Sequence, residues 1–583
     1  MKEKGQNNSK WLSLLISSIS VILIISSAIW IIFNTETLAL RNGLARWTVI
    51  SLEASLLLML FGIGLGRNTF RTIWLDLSRR GLFILAAILV AGFLFLVLAV
   101  PRTNRIYYDE HIYENIGQNI AWTGKSFMCD EGNAEYGEYR PFWTEYNKQP
   151  NGHPFLLSLF FQVFGTSEWV AHFANNISYI IAIAGIAGIT LILFGSEISA
   201  LFAAAFYAGI PMVLIWSNTA AAEPSAAAFT VIALLSACIY AKEPSLGTLG
   251  FMVGAIAFGV QFRPESIFLV VPAVLIIISV RPSLFMRREL YWAVVLLALL
   301  VLPEILHLYA VRNEGWGTSS ERFSWSIFAQ NLRVNGPFYY KNVRYPLIFT
   351  VLAAIGLLWL RDWKAKTPLF AWLLYSWGIF LFFYAGSYEY GADVRFSLIC
   401  APPLAILAGL GAGRLASLDL KTINSRALVA GLLIILAIQW IGFLPLIRAV
   451  GEEAVNARLD VECGREFAKL VPVDSIVLSH NPSMWLMWGK NAAQMSVATI
   501  NRPHLDRDMF MRYKGGVYLH WNFWCNVPDP GQNQFCNNIK KQYVLSLVKA
   551  FDLRGFHYAL YRLYPKGGPP NENQPPVGLT PPQ

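Results

Sequence analysis

Two adjacent carboxylates, Asp109 and Glu110, carry the clearest chemistry in this 583-residue sequence. They sit in YYDEHIYENIGQNIAWTGK (Tyr107–Lys125), about nine residues beyond an apolar stretch that ends near Val100. A positioned carboxylate can take the proton of a hydroxyl, a poor nucleophile at neutral pH, as that hydroxyl attacks. The same pair can also be an acidic turn that caps a helix. Ile112, Ile116, Ile120 and Trp122 give the following segment a rough apolar face, with Gly124 as a C-cap. Such a helix is expected to lie on a membrane surface and to hold the carboxylates near lipid headgroups. Tyr107, Tyr108 and Tyr113 then read as interfacial anchors.

A second polar group follows in KQPNGHPFLLSLFFQVFG (Lys148–Gly165), where His153 and Pro154 open an apolar helix too short to span. Further charges stand at the ends of apolar segments. Glu223 lies in SNTAAAEPSA, Arg263 and Glu265 in QFRPES, and Arg395 just after SYEYGAD. Charges there are functional candidates by default. Each also has a plainer reading: a helix-start residue for Glu223, a local ion pair for Arg263 with Glu265, and snorkelling for Arg395. Arg140 and Lys148 are loop cations. Cys525 and Cys536, eleven residues apart in a polar stretch, are the preferred disulfide pair. No CxxC or nearby histidine spacing supports a metal site.

The elements that position these groups are membrane helices. The chain is 55% hydrophobic and 14% charged with mean hydropathy +0.46, whereas a soluble domain carries roughly 25% charged residues. About 20 apolar residues cross a bilayer core of ~30 Å, and thirteen candidate spans are expected, near 11–33, 48–66, 81–100, 170–194, 199–215, 224–241, 247–262, 266–280, 291–311, 346–360, 368–385, 396–413 and 427–447. The first lacks a cleavage site and reads as an uncleaved span. With the N-terminus cytoplasmic, Arg67, Arg71, Arg79, Arg80, Arg287, Arg288, Arg361 and Lys364 all fall inside, as the positive-inside rule requires. This bias explains most of the net charge of +10; no basic patch interleaved with aromatics points to nucleic acid. The polar segments 101–153, 312–345 and the region after 449 then face outside, at a plasma (cell inner) membrane. The expected division is a transmembrane domain over 1–449, including a catalytic outer loop over 101–169, then an extracytoplasmic α/β domain over 450–564 and a disordered tail over 565–583. Strands are expected at Ser475–Ser479, Gly516–Trp521 and His557–Tyr561.

Asp109, Glu110 and Tyr113 beyond a span, then His153, Pro154, Phe164 and Gly165, within a long polytopic chain, resemble the GT-C superfamily of glycosyltransferases. The nearest likeness is to the branch of protein O-mannosyltransferases and the lipid A aminoarabinose transferase, and DVRFSLICAPPLAILAGLG (Asp393–Gly411) is similar to a late span of that branch. One departure is that three spans, rather than one, precede the carboxylate loop. The resemblance implies an all-α polytopic fold, a polyprenyl-phosphate sugar donor, and transfer of a hexosyl or pentosyl group to an acceptor hydroxyl on a protein, lipid or glycan with inversion. It implies Asp109 as base, with Glu110 as second choice. Arg140, Lys148, Arg263 and Arg395 are then candidates to stabilise the phosphate, His153 to donate a hydrogen bond to it, and Glu223 to match an acidic family position. A monophosphate donor requires no metal; a pyrophosphate donor would favour a divalent cation. A transporter or flippase, and an inactive subunit of the same fold, are the competing readings. Glu304 in VLPEILH is the main polar group inside a span and favours the transporter.

Overall fold

The computed structural model describes residues 2–128, 146–313, 323–359, 363–389, 393–418, 425–496, 509–528 and 530–566. The chain folds into two compact units. The first comprises 1–102, 148–156 and 171–451; the second comprises 103–147, 157–170 and 452–583. Residues 103–147 and 157–170, which follow the third predicted span, thus group with the C-terminal region, while 148–156 stay with the first unit.

The first unit is helical. Among the described residues, eight helices are long and apolar enough to cross a membrane, including Arg79–Ala99, Ala222–Lys242 and Val429–Val450. Five shorter apolar helices accompany them, among them Glu197–Gly209 and Leu246–Gly259. Each of the thirteen segments expected to span falls on a helix, but several are shorter than a bilayer core needs. Proline explains part of this: Pro211 ends one helix and starts the next at Pro211–Trp216. The chain is a multi-pass membrane protein. The outward side chains of the flanking helices are large and apolar, with Phe33 and Leu98 each 80% exposed, a surface suited to lipid rather than water.

Close helix contacts rest on glycine. A Cβ on Gly62 would sit 2.2 Å from the backbone nitrogen of Phe251, binding Thr37–Leu65 to Leu246–Gly259. Gly356 and Gly411 do the same for Leu347–Trp359 and Ala401–Ala416. In lipid, where apolar surface gives no net drive between helices, such backbone approach is the main source of association.

The second unit contains a five-stranded sheet: β1 (Ser475–Ser479), β2 (Asn491–Gln494), β3 (Gly516–Trp521), β4 (Tyr543–Leu553) and β5 (Phe556–Pro565). Their order is β2-β1-β3-β5-β4, with β2, β1 and β3 parallel and β5 antiparallel to both neighbours. Arg554 and Gly555, both at positive φ, form the two-residue β4–β5 turn. Side chains alternate between faces as the strand period requires. Ile476, Leu478, Val517 and Leu519 enter one core, while Val477 and Tyr518 enter the other with Phe467 and Trp485. Ser479, His520 and Asp460 line up there, with Ser479 Oγ 3.1 Å from Nδ1 and Asp460 Oδ1 3.1 Å from Nε2. All three are fully buried, so this alignment ties β1, β3 and the Val455–Ala468 helix together and offers no surface to a substrate.

Replacing Gly356 by valine forces apart two backbones that cannot relax by a rotamer change. It should destabilise the protein by about 2 kcal/mol or more, read as a lowered thermal midpoint in detergent. Gly43→Val, at a position with open space around its Cβ, should leave the midpoint nearly unchanged.

Candidate functional site

In the first unit four charged groups form one cluster centred on a carboxylate. Glu223 lies in the first turn of Ala222–Lys242 and is fully buried. Its Oε1 receives a hydrogen bond from Arg263 Nη1 at 2.5 Å and lies 3.1 Å from Arg395 Nε. Arg263 Nε also pairs with Glu265. The guanidinium groups of Arg263 and Arg395 lie 5.0 and 5.1 Å from the centroid of the Phe396 ring, which stacks on Phe380. The arginine side chains are 12% and 11% exposed.

Three helix starts converge here. Glu223 is in the first turn of one helix, Arg263 is the N-cap of the 3-10 turn Pro264–Leu269 that leads into Val270–Val280, and Arg395 lies in the 3-10 turn Asp393–Cys400 that leads into Ala401–Ala416. The positive ends of their dipoles add to the two guanidinium charges, and helix N-termini with arginine favour anions. Glu223 Oε2 has no hydrogen-bond partner among the described residues.

The segment leading to Glu223 is held rigidly. Asn175 Nδ2 donates to the carbonyls of Thr219 and Ala221, both at 2.8 Å, and Asn176 Nδ2 to that of Ser217 at 2.7 Å. Asn218 Nδ2 donates to Val100 O at 2.8 Å. His153 completes the support, with Nε2 2.9 Å from Ala220 O and Nδ1 2.8 Å from Ser225 Oγ. Burial pushes its pKa down to about 4, so the neutral ring donates from Nε2 and accepts at Nδ1. Both nitrogens serve the protein. His153 therefore braces the Glu223 turn. Gly152 makes this docking fit: its N–H donates to Gln261 O at 2.8 Å, and a Cβ there would lie 2.7 Å from that oxygen.

Three candidates named from sequence, Glu223, Arg263 and Arg395, thus form one cluster, with His153 behind it. Arg395 is largely buried against Glu223, which sits at a helix start and is paired as well; the Arg263–Glu265 pair is present within the larger cluster. Lys148 is half-buried in the same unit. Arg140 lies outside the described residues. Asn175, Asn176 and Ser225 went unnoticed, because nothing in an apolar helix marks which amide faces a distant carbonyl.

In the second unit, Asp109 and Glu110 open the helix Tyr107–Thr123. Adjacent residues point about 100° apart around a helix, and the two fare differently. Glu110 is fully buried, and its Oε1 accepts from the backbone N–H groups of Arg105 and Ile106 at 3.2 and 3.3 Å. It closes the helix start. Asp109 is partly exposed.

The helix does not lie on a membrane surface as its apolar stripe suggested. Residues 110–120 are buried all round, including Ile112, Ile116 and Ile120, and Tyr113 is buried as well. Gln118 Nε2 donates to Met487 O at 3.1 Å, His111 Nδ1 meets Asn481 Nδ2 at 2.9 Å, and Gln494 Nε2 donates to the Tyr108 hydroxyl at 2.6 Å. The helix is thus docked on the segment from β1 to β2, and Tyr108 and Tyr113 are internal contacts rather than interfacial anchors. Only Trp122 of the expected face is well exposed. Gly124, at φ 66°, caps the helix as expected.

Behind Asp109 lies a buried acidic group. Glu168 accepts from Trp488 Nε1 at 3.1 Å and pairs with Arg465 at 2.5 Å. Burial, followed by the charges of Glu168 and Glu110, holds the Glu114 carboxyl well above the usual carboxylate range, and Asn104 and Arg465 offset this only in part. Cys525 and Cys536 form a disulfide, with Cα atoms 5.6 Å apart. Cys238, Cys400 and Cys463 are buried thiols.

Residues 148–307 match the family of dolichyl-phosphate-mannose-protein mannosyltransferases. This stretch includes His153, Glu223, Arg263 and Glu265. Among solved structures, ArnT from Cupriavidus metallidurans bound to undecaprenyl phosphate is similar with a TM-score of 0.54 at 13% identity, covering 83% of this chain and 98% of that one. The chain has the GT-C glycosyltransferase fold. The apo form of the same ArnT gives 0.52 at 15% identity, covering 82% and 97%. No curated protein sequence matches the chain. Within this GT-C fold, the mannosyltransferase match carries all of the buried ion cluster except Arg395.

Two outcomes follow. Glu223→Gln leaves two largely buried guanidinium groups short of their carboxylate and should cost about 3 kcal/mol of stability, whereas Asp76→Asn, in the exposed pair with Lys242, should cost less than about 1 kcal/mol; denaturation midpoints in detergent separate them. Because the folded pKa of Glu114 is raised, its contribution is full below about 4.5 and is lost as pH rises through the folded value. Glu114→Gln should therefore gain thermal stability over wild type progressively above pH 4.5, and a difference that does not change with pH contradicts this.

Proposed function

We propose that the protein is an inverting glycosyltransferase that moves a sugar from a polyprenyl-phosphate donor to an acceptor hydroxyl at the outer face of the plasma membrane, with the N-terminus cytoplasmic and the second unit extracytoplasmic. The observation that carries this reading is the pair Arg263 and Arg395, held on buried Glu223 where three helix N-termini converge. That arrangement suits a lipid monophosphate as leaving group. The shared fold with an ArnT bound to undecaprenyl phosphate supports the donor class, and the mannosyltransferase match over 148–307 supports glycosyl transfer.

In the proposed reaction the acceptor oxygen forms a bond to the anomeric carbon from the face opposite the phosphate. The bond from that carbon to the phosphate oxygen breaks, and the electron pair leaves with the phosphate. The acceptor proton passes to Asp109. The two guanidinium groups stabilise the charge gathering on the phosphate, and fixed donors already oriented by Glu223 need no rearrangement as the charge forms. Between the two carboxylates, Asp109 is the better base: Glu110 is buried and committed to backbone N–H groups. Glu223 and His153 act as positioning residues for the arginines.

Loss of a positioned base lowers turnover by about 10²–10⁴-fold. Asp109→Asn should reduce transfer from a polyprenyl-phosphate sugar by at least about 100-fold while the thermal midpoint is kept. Transfer at the wild-type rate removes Asp109 from the mechanism.

A further inference from the structure

The sequence separates His480, Met495, Cys525 and Cys536 by up to 56 residues, yet the sheet gathers them at one edge. His480 directly follows β1, Met495 directly follows β2, and Cys525 lies in the Phe523–Cys525 turn just after β3. These three strands are parallel, so the residues share the carboxyl-end rim, where loops of open α/β sheets build ligand sites. Cys536 reaches the same place from the helix Pro530–Gln542. Ligand atoms of His480, Cys525 and Cys536 all lie within 4.8 Å of one another. Cys536 Sγ is 4.0 Å from His480 Nε2 and 3.7 Å from Met495 Sδ. Ligands bound at about 2.3 Å around a tetrahedral ion lie about 3.8 Å apart, so both spacings fit a shared ion.

The histidine is oriented for such a role. Its Nδ1 lies 3.1 Å from Asn522 Oδ1, which can only accept. With that oxygen as acceptor Nδ1 carries the proton, and the Nε2 edge of the ring faces Cys536 Sγ. A ligating histidine is commonly held in this way, with its other nitrogen donating to a fixed oxygen. Asn522 is fully buried, and its backbone carbonyl accepts from Asn526 Nδ2 at 2.9 Å, which holds the turn that carries it. Cys536 and Met495 are no more than 1% exposed, beside Met509, Tyr513 and Ile539.

We propose that, when the Cys525–Cys536 bond is reduced, the two thiolates, His480 Nε2 and Met495 Sδ bind one monovalent copper ion. Thiolate and imidazole suit zinc as well as Cu(I), but zinc sites are built from cysteine, histidine and carboxylate, so the Met495 thioether is what favours Cu(I). An external dithiol supplies two electrons and two protons, opening the disulfide to two thiols and becoming a cyclic disulfide itself; Cu(I) then displaces the two thiol protons. The same four residues thus alternate between a covalent cross-link and a metal centre according to the redox state of their surroundings.

The full-length protein in detergent, treated anaerobically with dithiol, is titrated with Cu(I) against a chromophoric copper chelator. Reduced wild type should bind one more Cu(I) than the Cys525→Ser/Cys536→Ser double variant, and untreated protein should bind none at this site. His480→Ala should weaken that binding by about 10–100-fold and Met495→Leu by about 10-fold. His480→Ala keeps the disulfide, so an untreated variant that melts like wild type shows that its fold is intact. The proposal is overturned if the reduced protein binds no additional ion, if it unfolds on reduction, or if His480→Ala binds copper as wild type does. Tighter binding of Zn²⁺ than of Cu(I), unaffected by Met495→Leu, overturns the assignment to copper.

Discussion

A single carboxylate, Glu223, decides the arrangement of the first unit's polar centre. An arginine removed from water is tolerated only when a charge and hydrogen bonds replace its hydration, and Glu223 serves two of them at once. The turn that carries it is held by amide donors from Asn175 and Asn176 and by the ring of His153, so the negative charge cannot drift. What results is a set of cations fixed beforehand at the positive ends of three helices. A floppy pair of surface arginines would have to be ordered by the substrate; here the folding of the protein supplies that order.

The second unit applies the same physics to a different end. Glu110 and Asp109 are neighbours in sequence, but burial and two backbone N–H groups commit one to structure and leave the other partly exposed. The helix that bears them is anchored through His111, Gln118 and Tyr108 to Asn481, Met487 and Gln494, on the segment that runs from the end of β1 through β2. A base presented on a docked helix is held more firmly than one on a free loop. Burial, followed by the neighbouring charges of Glu168 and Glu110, holds the Glu114 carboxyl well above the usual carboxylate range.

Much of this was legible in the sequence because it depends on periodicity and local rules. Apolar runs mark the helices, short apolar stretches beside turn residues mark β1 and β3 to the residue, and Gly124 marks a C-cap. The arginines of the buried cluster stand out in the sequence because a charge at the end of an apolar run is costly and conspicuous. Contacts between distant residues were hidden. The stripe of Ile112, Ile116 and Ile120 looks the same whether lipid or protein covers it, so the helix was read as interfacial. The histidine of the HP motif was read as a ligand because its partners, Ala220 and Ser225, are about 70 residues away. Strands β2 and β4 escaped because NAAQ is short and bland and YVLSLVKAFDL has no clean alternation.

The most direct test of the central idea is equilibrium binding of undecaprenyl phosphate to the purified protein in nanodiscs. If Arg263 and Arg395, fixed by Glu223, hold a lipid phosphate, Arg395→Gln should weaken binding by about 10-fold or more, while Asp109→Asn, which alters only the proton acceptor, should bind as wild type does. Equal binding by Arg395→Gln and wild type would contradict the account.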